Sequence, residues 1–113
     1  MKQALINELN KFGFPVFLQG SLNEDDVYPD SFITFWTDDV TDEAHYDDET
    51  TARVWDFSVI FYSNDPALVN SKPEEIRKSL KSAGFIPQGK GRDIPSDENS
   101  HTGWAMDFYK FEY

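Results

Sequence analysis

Residues 54–62 read Val54-Trp55-Asp56-Phe57-Ser58-Val59-Ile60-Phe61-Tyr62, and their alternation decides the fold. Successive side chains of an extended chain point to opposite faces, which puts Trp55, Phe57, Val59 and Phe61 on one side and Asp56, Ser58, Ile60 and Tyr62 on the other. The spacing predicts a strand over residues 51–62 with its aromatic set facing the core.

Working outward, Asn64-Asp65-Pro66 places a capping residue before a proline that suits a helix start. Ser71-x-x-Glu74 forms a second capping box ahead of Ile76, Leu80 and Ala83. The helix is expected to end at Gly84, a C-cap glycine with Phe85 folding back as its apolar contact. On the other side, Ser31–Trp36 reads as a strand with Ile33 and Phe35 on one face and Phe32, Thr34 and Trp36 on the other. Between them, residues 37–50 (TDDVTDEAHYDDET) read as a loop too charged to pack, either disordered or working at an interface. Lys2–Phe12 carries Leu5, Leu9 and Phe12 on one helical stripe, ending at Gly13. Phe14–Leu18 then reads as a strand and residues 20–26 as a polar turn. Residues 87–103 form a polar, glycine-rich loop, and Trp104–Tyr113 a last strand, apolar on both sides and so expected to carry a bulge or to be buried twice over. The fold class is α+β: one domain over 1–113, a mostly antiparallel sheet of four to five strands flanked by two helices in the order α-β-β-β-α-β.

A chain of 113 residues suffices for one core, and its 18 aromatics favour a strand-rich one. It has no cysteine, which excludes disulfides and thiolate metal sites and suits an intracellular setting. The first residues lack the continuous apolar run of a signal peptide, and a soluble protein is expected. The net charge of −11 is unevenly placed: residues 24–49 hold eleven acids and no Lys or Arg. Such a surface repels a nucleic-acid backbone.

Gly84-x-x-x-x-Gly89-Lys90 matches the spacing of a phosphate-binding loop, but Gly91 stands where that motif needs a hydroxyl, and the glycines follow a helix rather than open one. A glycine-rich connection is the reading. The acidic stretch lacks the spacing of a calcium-binding hand, and His45 and His101 are the two histidines available to zinc. Ser100-His101 lies near Asp97-Glu98 without a nucleophile elbow before it. No catalytic residues and no cofactor are expected.

The segments YPDSFITFW (28–36), HYDDE (45–49), VWDFSVIFYSNDPALVN (54–70), LKSAGF (80–85) and GKGRDIPSDENSHTG (89–103) resemble a family of small structural proteins from the head-to-tail region of tailed bacteriophages and prophages of Gram-positive bacteria. The resemblance implies a non-enzymatic virion protein, a tail terminator or a neighbouring joining component, found in the virion and in the host cytoplasm during assembly. It implies self-association into a ring and contact with tail-tube or connector proteins, without specific nucleic-acid or membrane binding. Candidate contact residues are Asp38, Asp39, Asp42, Asp47 and Asp48 of the acidic segment, Lys90 and Arg92 of the glycine-rich loop, and Tyr109, Phe111 and Tyr113 of the last strand. Acids facing a central channel would let DNA pass without adhering. Two other classes are open: an acidic DNA mimic that inhibits a DNA-binding protein, and a small metal-assisted hydrolase using His45 or His101 with nearby Asp residues. Mimicry needs carboxylates on rigid elements, whereas these crowd a segment read as a loop.

Overall fold

The computed structural model describes residues 1–18, 29–46, 49–96 and 100–112, with the backbone course alone for 41–46 and 49–52. The chain runs α1 (Lys2–Asn10), β1 (Val16–Leu18), β2 (Ser31–Tyr46), β3 (Glu49–Ser63), α2 (Pro66–Ser82), β4 (Ile86–Pro87), β5 (Arg92–Pro95) and β6 (Thr102–Glu112). It is an α+β fold with two helices and a mixed six-stranded sheet, ordered β1-β2-β3-β6-β4, with β5 also paired to β6.

Strand β3 behaves as its alternation predicts. Phe57, Val59 and Phe61 are fully buried, and with Ile33, Phe35, Met106 and Phe108 they form the sheet side of the main core. Leu5 and Leu9 of α1 and Val69, Ile76 and Leu80 of α2 close that core from above, so both helices cover the same face. Phe32, Ile60, Tyr62 and Ala105 make a smaller cluster on the other face, joined by Phe17, Trp36 and Ile94.

Helix α2 starts and stops as its punctuation dictates. Asp65 caps it by accepting from the Ala67 N–H at 3.0 Å, with Pro66 next. At the far end Gly84 takes φ 94°, Phe85 N–H donates to the Leu80 carbonyl at 2.9 Å and Gly84 N–H to that of Lys81, a Schellman closure that buries the Phe85 ring. Ser71 does not open a second helix. Its hydroxyl donates to the Ala67 carbonyl, and the helix continues through Pro73, whose ring is buried. Helix α1 ends at Asn10, two residues before Phe12, and Gly13 adopts the positive φ of 78° expected after a helix end.

The largest departure from expectation is residues 37–50. Apart from 47 and 48, which lie outside the described residues, they are not a loop: β2 continues to Tyr46 and pairs antiparallel with β3 from Glu49, within three-stranded sheet as far as Asp42, since β6 pairs with β3 to Arg53, and as a two-stranded ribbon only where Ala44, His45 and Tyr46 face Ala52, Thr50 and Glu49. Register shifts between Thr37 and Asp39, and again at Asp42 to His45, let the strands stay paired. A ribbon satisfies backbone groups across its strands without burying side chains, so charge does not prevent it. The long axis of the molecule measures 53 Å against 28 and 22 Å for the others.

Three further differences concern the sheet. β1 lies parallel to β2, Val16 opposite Ile33 and Leu18 opposite Phe35, and residues 19–30 connect them, the length a parallel pair requires. The polar turn expected at 20–26 lies outside the described residues. The stretch 87–103 contains pairing as well as loop: β4 and β5 both run antiparallel to β6, with two extra residues on their side between Pro87 and Arg92. Pro87, Gly89, Gly91 and Pro95 cut these strands below the length at which alternation becomes readable. β6 has no bulge against β3, since pairing is unbroken from Thr102–Ser63 to Glu112–Arg53, and it is apolar on both faces because both clusters use it.

Candidate functional site

The register that sets Trp36 opposite Ser58 and Ser58 opposite Asp107 gathers polar groups at the root of the ribbon, on the face away from the helices. They line a depression of about 360 Å³, with Asp38, Asp56 and Asp107 around Ser58, Arg92 and Gln88 at one rim, and Trp36 and Tyr109 as walls. Ser58 is buried, and its hydroxyl lies 2.6 Å from Asp38 Oδ2 and 2.9 Å from Asp107 Oδ1. One proton donates to one carboxylate at a time. The Trp36 indole N–H donates to Asp38, while Arg92 Nη1 donates to Asp107 Oδ2 at 2.9 Å. Burial, then the charges of Asp38, Asp107 and Asp39, push the Asp56 carboxyl above its ordinary range.

The sequence-predicted residues divide among three places. Asp38 and Asp39 are exposed at the ribbon root, and Asp42 lies on β2 farther toward the ribbon. Arg92 and Tyr109 line the depression. Lys90 is elsewhere: it is exposed on the helix side of the sheet, its carbonyl accepting from Trp104 Nε1 at 3.0 Å, beside Pro73 and Glu74 of α2. Phe111 is 39 % exposed. Asp47, Asp48 and Tyr113 lie outside the described residues. Sequence reasoning missed Asp56, Ser58 and Asp107. Their signal was polar side chains alternating with core aromatics, but only strand register shows that 58 meets 107.

Two other readings acquire geometry here. The Gly84–Gly91 stretch is a helix cap followed by an edge-strand connector in which Gly89 and Gly91 take φ 74° and 107°. No helix starts at its lysine. His101 is buried, with Nδ1 at 2.8 Å from Ser100 Oγ and Nε2 at 2.8 Å from the Pro29 carbonyl, so it ties two loops together. Among the described residues, no group of three or more His, Asp or Glu is placed to hold a metal ion. No helix among them is long and apolar enough to cross a membrane.

Compared with known proteins, the chain matches no family model and no curated sequence.

Proposed function

We propose that the chain is a non-enzymatic structural subunit of a tailed-bacteriophage particle at the head–tail junction, a tail terminator that self-associates into a ring and meets tail-tube or connector proteins. The observation that carries this reading is the ribbon. Residues 44–46 and 49–52 carry two paired strands past the last β3–β6 pair, Arg53–Glu112, which is the form of an element that contacts a neighbour. The resemblance of residues 28–36, 54–70 and 89–103 supports the particular station, and exposed Phe111 and Val40 supply apolar contact at the root of the ribbon. Introducing a stop codon early in the reading frame of the encoding phage tests it: filled heads should accumulate beside unjoined tails of irregular length, whereas normal infectious particles would refute it.

A second reading gains from the same strands. Asp39, Asp42 and Glu49 stand on paired strands rather than a loop, which favours the rigidity that a DNA mimic requires. A mimic recovers a nuclease or another DNA-binding protein from host lysate in proportion to its acids. A terminator recovers tail proteins.

A further inference from the structure

The glycine connector that follows α2 borders a cleft on the helix side of the sheet. Val69, Asn70, Pro73 and Glu74 of α2, Lys90 of the connector and Trp104 of β6 line a volume of about 200 Å³. The connector is fixed in place: Trp104 Nε1 donates to the Lys90 carbonyl at 3.0 Å, Arg77 Nε donates to the Gly89 carbonyl at 3.2 Å, and Gly91 lies so close to the indole that a Cβ would collide with it. Val69 and Pro73 are buried and Trp104 is half-buried, which gives the cleft an apolar floor. Pro73 has no N–H, so the Val69 carbonyl four residues before it lacks the donor that an uninterrupted helix supplies. Lys90 is exposed and forms no ion pair among the described residues, whereas Glu74 lies 3.5 Å from Arg77. One place thus offers an apolar surface, a backbone acceptor without its helix donor and an uncompensated ammonium.

We infer that this cleft holds the C-terminal residue of a partner polypeptide. The apolar side chain of that residue rests on Trp104, Val69 and Pro73, its N–H donates to the Val69 carbonyl, and its terminal carboxylate meets the Lys90 ammonium. A volume of about 200 Å³ lies below the roughly 300–1,000 Å³ of pockets that enclose a whole small molecule, so a single anchored residue is the occupant. Capture of a chain-terminal carboxylate is a recurring way of recognising peptides. Charge favours it as well: residues 76–92 hold five bases and no acid in a chain whose net charge is −11. On the reading of a subunit that meets other proteins of the particle, on which this assignment rests, the cleft is where the chain end of such a neighbour is held.

An NMR titration of the full chain, following the Trp104 indole N–H, tests this with the peptide acetyl-Gly-Gly-Leu as its free acid. The signal should shift saturably with a Kd on the order of 1 mM, as befits an anchor of one residue. Two probes each lack one element of the match. The C-terminal amide of the same peptide has no carboxylate, and 4-methylpentanoate keeps the side chain and the carboxylate but has no N–H; each should bind about tenfold more weakly. Lys90→Gln should weaken the free acid by about tenfold, and Pro73→Ala, which returns a helix N–H to the Val69 carbonyl, should remove the difference between the peptide and 4-methylpentanoate. Absence of a shift up to ~10 mM, equal binding of acid and amide, or an undiminished Lys90→Gln would overturn the inference. Free leucine binding more tightly than the peptide would make the occupant a small molecule and overturn it too. A protein found in phage particles whose cleft ignores the peptide refutes the cleft and leaves the virion reading standing; peptide binding by a protein absent from particles refutes the virion reading and leaves the cleft.

Discussion

Arg92 Nη1 lies 2.9 Å from Asp107 Oδ2, joining β5 to β6 at the rim of the acidic depression. Both side chains are partly solvated, at 55 % and 31 % exposure, and such pairs contribute under about 1 kcal/mol. Arg92→Gln should therefore lower the urea-unfolding free energy by about 0.5 kcal/mol at low salt, with less effect at high salt. A loss several times larger would mean that the guanidinium organises the whole depression.

Asp56 gives the pH dependence. Burial and then its neighbours Asp38, Asp107 and Asp39 raise its folded-state pKa above the unfolded value. The folded state consequently keeps this proton over a pH window in which the unfolded chain has lost it, so the stability contributed by Asp56 falls as pH rises from the ordinary carboxylate range through the raised value. Asp56→Asn should be more stable than wild type near neutral pH and equal to it once the medium is acidic enough to protonate both states. Thermal unfolding across that range reads the difference, and a variant less stable at neutral pH contradicts the assignment.

Gly91 and Gly89 should respond differently to the same substitution. A Cβ on Gly91 would lie 2.6 Å from the Ala105 carbonyl oxygen and against the Trp104 indole, and φ is 107°. At Gly89, with φ 74°, the space is open. Gly91→Ala should cost about 2–3 kcal/mol and Gly89→Ala about 1 kcal/mol, measured by denaturant unfolding. Equal costs would show that the connector relaxes freely.

Thr34 is 5 % exposed, and among the described residues its hydroxyl has no hydrogen-bond partner. Replacing a buried hydroxyl that has no partner by a methyl of similar shape removes a desolvation cost, so Thr34→Val should stabilise by about 1 kcal/mol. A destabilised variant would mean that the hydroxyl is satisfied in solution.

Burial is what made parts of this fold legible in the sequence. Phe57, Val59 and Phe61 announce their strand because one face must enter the core, and Asp65-Pro66 and Gly84 announce helix ends because unpaired backbone groups need caps. The continuation of β2 toward the ribbon was illegible for the opposite reason: residues such as Asp38 and Asp39 bury little, so no alternation is imposed on them, and their charge resembles that of a loop. The parallel pairing of Val16 with Ile33 also leaves no local signature, since strand direction is set by the connection rather than by the strand. The depression shows the same limit, because Ser58 and Asp107 are 49 residues apart and meet only through register.

The central claim is that this chain is a building block of a phage particle. Its most direct test is to purify particles of the encoding phage, quantify their proteins by mass spectrometry and label this chain with antibody for electron microscopy. The account predicts a fixed small copy number per particle, with label at the head–tail junction. Particles of full infectivity that lack the chain would contradict it.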